Sequence, residues 1–279
     1  MERRPMRGLL AFLFYAAIAS AFAFLALPIV AIFVHVSPGT LLHQLSSPIV
    51  TDALVVTLKT SVAAQIAILI FGTPTAYFLA TRRFPGRALL VTLVELPFVL
   101  PPAVAGIGLL VAFGKLGLLG GTFSWLGINV AFNTTAVVFA VMLVASPLYV
   151  RQAIAAFEAI DGDLVAASRT LGAGPVRTFF RVALPLASGG LAAGEALCIA
   201  RGIGEFGATI MFAGSLKGRT QTLTLAVYQE FDSNFDTALA ISALLVLVSV
   251  VILFALKMSA LWQPSPSTSR SRFARLRSS

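Results

Sequence analysis

RQAIAAFEAIDGDLVAASRTLGAGPVRTFFRVALP, residues 151–185, is the stretch on which the reading of the fold turns. It gathers Arg151, Glu158, Asp161, Asp163, Arg169, Arg177 and Arg181, and the chain on both sides of it is almost uniformly apolar. Over all 279 residues, 58% are hydrophobic and only 11% charged. No soluble fold buries that much apolar side chain, so lipid must solvate part of it. The polar stretch is therefore a loop between membrane segments, and the chain is an integral membrane protein.

Working outward, a hydrocarbon core of about 30 Å is crossed by a helix of about 20 apolar residues. Runs of that order cover 9–34, 53–80, 89–113, 134–150, 186–213 and 237–256, which predicts an all-α protein with six transmembrane helices. The first run follows Arg3, Arg4 and Arg7 and holds the small residues Ala19 and Ala21, as a cleaved signal sequence does. Its uncharged length of 26 residues exceeds a signal core of about 7–15, so it reads as a retained span. The organisation expected is a short amino end (1–8), a membrane domain (9–256) carrying the 151–185 loop, and a basic tail (257–279).

The positive charges sort by loop. Three lie at the amino end, three at Arg82, Arg83 and Arg87, four in 151–185 and five from Lys257 onward, against Lys115, Lys217 and Arg219 on the other side. By the positive-inside rule both termini and the polar loop face the cytoplasm, placing the protein in the cytoplasmic membrane. The same rule accounts for the formal charge of +9, because the cations are divided by membrane side and not clustered with aromatics as a nucleic-acid surface requires. The tail 267–279, with Arg270, Arg272, Arg275 and Arg277, reads as a disordered segment able to meet anionic lipid. The lone Cys198 excludes an intrachain disulfide, and His35 and His43 lack carboxylates or thiols at ligand spacing, so no metal site is expected.

Two sequence matches fail their context. Gly202-Ile203-Gly204-Glu205-Phe206-Gly207 satisfies G-x-G-x-x-G, but that fingerprint needs a strand turning into a helix. Here it follows an apolar helical run in which Gly190 and Gly194 keep the small-xxx-small spacing of a close-packing face, so these glycines thin or break a span. Gly114-Lys115 lacks both the upstream glycine and the following hydroxyl of a P-loop, so the chain has no ATPase site of its own and binds no cofactor of that kind.

Within the polar loop, Phe157, Ile160, Leu164, Ala167 and Leu171 recur at spacings of three and four, predicting one apolar face of a surface helix. Gly172-Ala173-Gly174-Pro175 interrupts it. A second short helix, with Phe179 and Phe180 inward and Arg177 and Arg181 a turn apart, is expected to run to Leu184-Pro185. Periodicity alone leaves two roles open, a helix lying among lipid headgroups or a docking site for a partner.

The spacing Ala166-Ala167-Ser168-x3-Gly172-x9-Val182-x-Leu184-Pro185 resembles the EAA loop of ABC importer permeases, E-A-A-x3-G-x9-I-x-L-P. Ala166 replaces the usual glutamate, Ser168 an alanine and Val182 the isoleucine, whereas Gly172, Leu184 and Pro185 match outright. Further along, 201–209 and Gly218-Arg219-Thr220-Gln221-Thr222 resemble molybdate permeases, with sulfate and tungstate permeases as near relatives, and 96–106 is similar to the same group. The resemblance implies a transport subunit and not an enzyme. It would work as two copies of the permease, with cytoplasmic ATPase subunits that hold ATP and Mg, and with an extracytoplasmic molybdate-binding protein. It assigns ATPase coupling to Ala166, Ala167, Ser168, Gly172, Val182, Leu184 and Pro185.

Charge inside a span costs roughly 2.5–3.5 kcal/mol on insertion scales, so Glu95, Glu195, Arg201 and Glu205 need partners, water or an interface. Arg201 and Glu205, at i and i+4, are spaced to pair. That pair is either structural or part of a path or gate formed by Arg201, Gly204, Glu205, Phe206 and Gly207. Pro97, Pro101 and Pro102 break the third span, either as a packing kink or to present backbone N–H groups to a passing dianion. A gradient-driven secondary transporter is the competing class, but no two halves of the chain stand in register. An enzyme using Glu95, Glu195 or Glu205 would lack a second catalytic group.

Overall fold

The computed structural model describes residues 3–261; of the basic tail 257–279, expected to be disordered, 257–261 continue the last helix and 262–279 lie outside the described residues. All described secondary structure is helical. Among the described residues five helical stretches are long and apolar enough to cross a membrane, six if one bent pair is counted as a single span. Helix α1 (Arg3–His35) is followed by the short α2 (Pro38–Leu45) and by α3 (Pro48–Thr81), which begins with Pro48 in the first turn, where no intrahelical N–H is needed.

The third span is not one straight crossing. Helices α4 (Arg87–Val99) and α5 (Pro102–Phe113) meet at 114°. The cause is the pair Pro101-Pro102: a proline pushes the preceding residue out of helical geometry, and Leu100 (φ −64°, ψ 137°) and Pro101 (φ −54°, ψ 130°) are both extended. Pro97 is accommodated inside α4 and makes no break.

After the small α6 (Gly120–Trp125) comes α7 (Thr134–Glu158), the post around which the others pack. Asn133 caps it, its Oδ1 accepting from the N–H groups of Thr135 (2.8 Å) and Ala136 (3.3 Å). Apolar residues are buried along its length, from Ala136 and Val137 to Ile154 and Phe157. The span expected to end at Val150 thus continues to Glu158, so Arg151 belongs to a helix and not to a loop; it reaches Glu95 of α4 at 3.7 Å.

Helix α8 (Gly162–Thr170) is separate. The chain then runs from α9 (Pro175–Thr178) through a π-helical turn (Phe179–Ala183) into α10 (Leu184–Ile203) as one continuous helix of 29 residues. The expected stop at Leu184-Pro185 does not occur. A proline ring crowds the carbonyl four residues back, here that of Arg181, and the wider π turn absorbs this, with the Leu184 N–H reaching Phe179 O. Helices α11 (Gly207–Ala213), α12 (Leu223–Glu230) and α13 (Phe235–Leu261) complete the chain, so the run 186–213 is broken at Gly204–Phe206.

Glycines set how closely α10 and α7 approach. A Cβ at Gly190 would lie 2.5 Å from that of Ala156, and one at Gly194 would lie 2.9 Å from that of Gln152. Gly202 faces Val141 at 3.0 Å in the same sense. This is the close-packing face read from the sequence. Gly190→Ala should therefore lower stability by about 1–3 kcal/mol, the usual range for overpacking. Gly108→Ala, where a Cβ meets nothing within 4 Å, should be tolerated; thermal denaturation of both in detergent checks the contrast.

Candidate functional site

The polar loop folds as a helical hairpin. Asp161 caps α8, its Oδ1 accepting from the Asp163 N–H at 3.0 Å. The far end closes in a Schellman arrangement: Gly172 has φ +82°, its N–H bonds Arg169 O at 3.0 Å, and the Ala173 N–H bonds Ser168 O at 3.1 Å. Pro175 then opens the returning helix.

The expected apolar face does not form, because Asp161-Gly162 divides it between two helices. Phe157 is buried at the end of α7, whereas Leu164 and Leu171 are exposed, at 48% and 87%. Phe179 packs among Tyr77 and Phe157, with ring centroids at 4.8 and 6.2 Å, but Phe180 faces outward. Ala166, Ala167 and Gly172 are exposed on the hairpin, and Val182, Leu184 and Pro185 lie beyond it in the long helix.

Ser168 does something its residue type alone did not announce. Its hydroxyl meets the buried Thr178 hydroxyl at 3.0 Å, tying the two arms together. Ser168→Ala should loosen the hairpin by about 1 kcal/mol, the net worth of an ordinary hydrogen bond, seen as faster amide exchange over 162–178 with the rest of the chain unchanged.

At the opposite end of the same long helix, the two broken spans come together. Gly207 sits against Pro102, where an added Cβ would lie 2.8 Å from the proline Cβ and 3.1 Å from Ala103 N. One turn on, a Cβ at Gly106 would meet Ala208 O at 2.6 Å. Residues of 101–106 and 204–211, far apart in sequence, thus share one junction.

Glu205 organises it. Its side chain is 1% exposed; Oε2 bonds Arg201 Nη1 at 2.8 Å, Oε1 accepts from the Ala208 N–H at 2.8 Å, and its carbonyl accepts from the Thr224 hydroxyl at 2.8 Å. The pair read at i and i+4 forms, although α10 ends at Ile203 and Glu205 lies beyond it. Phe206 packs on Tyr228, ring centroids 5.2 Å apart, and Gly204, Pro101 and Pro102 are exposed. The G-x-G-x-x-G match thus spans a helix end and a helix start, with no strand.

Thr57 and Thr224 were not singled out by sequence. Thr57 Oγ1 accepts from the Leu223 N–H at 2.9 Å, fixing α12 to α3. A threonine in an apolar run is a weak signal, since its hydroxyl often bonds its own helix. Thr57 also does so, to Ala53 O at 2.8 Å.

A polytopic helical bundle with a surface hairpin and two converging broken spans is the build of a membrane transport subunit. Residues 68–261 match the model of the binding-protein-dependent transport system inner membrane component, and the chain belongs to that family of multi-pass inner-membrane proteins. It is 40% identical over 240 residues to the molybdenum transport system permease protein ModB of Mycobacterium bovis, covering 85% of this chain and 90% of that protein. It is 36% identical over 255 residues to the probable transport system permease protein NifC of Clostridium pasteurianum, covering 91% and 89%. The crystal structure of a bacterial ABC transporter involved in the import of the acidic polysaccharide alginate shares the fold, with a TM-score of 0.67 at 18% identity over 94% of this chain and 100% of that one.

Proposed function

We propose that this chain forms the pathway for molybdate in an ATP-driven importer. Two copies surround the path, cytoplasmic ATPase subunits dock on the hairpin, and an extracytoplasmic binding protein delivers the anion. The observation that carries this reading is the 29-residue helix Pro175–Ile203. At 1.5 Å per residue it spans about 43 Å, with the hairpin at one end and the broken-span junction at the other. A push on the hairpin is thereby delivered to the junction. Both termini and the hairpin are assigned to the cytoplasm by their arginines.

At the junction, the dianion meets dipoles. Pro102 has no N–H, and those of Ala103 and Val104 lie in the first turn of α5, where no intrahelical acceptor exists, at the positive end of the helix. Gly207 packs closely on this turn, where a Cβ would lie 3.1 Å from Ala103 N, so a larger residue there would displace the turn. Both Glu205 oxygens are engaged, so the carboxylate holds Arg201 in place and Arg201, 30% exposed, is the group turned to the path.

The test is uptake of radiolabelled molybdate into proteoliposomes containing permease and ATPase, with binding protein outside and ATP inside. ATP-dependent uptake resistant to unlabelled sulfate is expected. Uptake erased by equimolar sulfate would reassign the substrate to sulfate, and flux without ATP would overturn the importer reading.

A further inference from the structure

A cleft of about 720 Å³ opens between the end of α3, the start of α4, the end of α7 and one side of α8. Arg83, Arg87 and Arg169 line it with a single acid, Glu158. Arg87 is already committed, its Nη2 to Glu158 Oε1 at 2.5 Å and its Nε to Leu79 O at 2.7 Å. Arg83 and Arg169 have no acceptor among the described residues, so the cleft carries two uncompensated positive charges. Its remaining wall is apolar and aromatic, with Tyr77, Phe157 and Ile160.

Three features narrow the occupant. The volume falls within the range of small-molecule sites, about 300–1,000 Å³, and exceeds what a lone tetrahedral oxyanion fills. The cleft lies where two membrane-crossing helices end, so an apolar tail at its mouth continues into lipid. Only one side of α8 is used, Gly162, Val165 and Arg169 at i, i+3 and i+7, which leaves exposed Ala166, Ala167 and Thr170 for another partner.

We propose that this cleft is a binding site for the phosphate headgroup of an anionic phospholipid, held by Arg83 and Arg169 with the glycerol and upper chain against Tyr77 and Ile160. Guanidinium groups match a phosphate in both charge and fork geometry. A lipid so placed joins the α3–α4 corner to α8 and sets the resting position of the hairpin. The site is independent of which anion the protein transports.

Native mass spectrometry of the full-length permease, alone and with its ATPase, titrated with phosphatidylglycerol or with phosphatidylcholine of the same chains, tests this. One phosphatidylglycerol should be retained and phosphatidylcholine lost. Juxtamembrane arginines contribute about 1 kcal/mol each to anionic-lipid binding, so R83Q/R169Q should weaken retention about thirtyfold. R82Q, which removes a neighbouring exposed arginine outside the cleft, should leave it intact. Both changes fall on exposed side chains, so folding is not at stake. Equal retention by R83Q/R169Q and the unaltered protein would overturn the proposal, as would equal loss in R82Q. Displacement of the lipid by millimolar inorganic phosphate would point instead to a soluble anion. Its expulsion on adding the ATPase would make the cleft a protein interface.

Discussion

Glu205→Ala should be strongly destabilising, by up to about 3–5 kcal/mol, the usual effect of removing one partner from a buried ion pair, reduced by the water that reaches the 30% exposed Arg201. Two side-chain bonds and the burial of the carboxylate set the size. The carboxylate neutralises Arg201 at 2.8 Å, satisfies the Ala208 N–H at 2.8 Å, and is itself 1% exposed. Its loss leaves a guanidinium inside the membrane domain and an uncapped turn at the junction of the broken spans. The denaturation midpoint in detergent should fall sharply and uptake should disappear.

The double variant R201M/E205M separates fold from function. Replacing a buried pair by apolar residues of similar volume is often nearly neutral, so most of the stability should return, less about 1 kcal/mol for the Ala208 N–H. Uptake should stay absent if Arg201 meets the anion. Recovery of uptake together with stability would confine the pair to holding the fold together.

Gly172→Leu should separate ATP hydrolysis from transport. A Cβ at Gly172 meets nothing within 4 Å, so the cost is conformational only, from φ +82°. For a residue with a Cβ this is about 1–2 kcal/mol, a depletion of the native turn of about five- to thirtyfold. ATP hydrolysis by the assembled transporter should persist while molybdate moved per ATP falls by a similar factor. Gly172→Asn should restore much of the coupling, because asparagine tolerates the left-handed region. Normal uptake in Gly172→Leu would remove the hairpin from the coupling role.

The sequence placed the turn of the hairpin at 172–175 but neither its two ends nor its faces. Gly172 and Pro175 are strong local signals, one for positive φ and one for a helix start, and both act where expected. The apolar period through 157–171 misled because spacing carries no information about where a helix is interrupted. Asp161-Gly162 stopped α7 and started α8, and the period crossed the gap unbroken. Leu184-Pro185 looked like a stop, but a π turn let the helix pass.

What the sequence determined by itself is what depends on composition and on neighbours within a turn or two. The membrane class follows from 58% hydrophobic content, the spans from apolar length, the hairpin turn from Gly172 and Pro175, and the Arg201–Glu205 pair from its spacing. Only the tertiary structure decided that the breaks at Pro101-Pro102 and at Gly204–Phe206 share one junction, that Glu95 reaches Arg151 at 3.7 Å, and that Arg83 and Arg169 share a cleft. The physical reason is that these meetings depend on how closely helices approach. That distance is fixed by Gly106, Gly190, Gly194 and Gly207 against atoms from distant parts of the chain, and glycine has no side chain with which to signal its partner in advance.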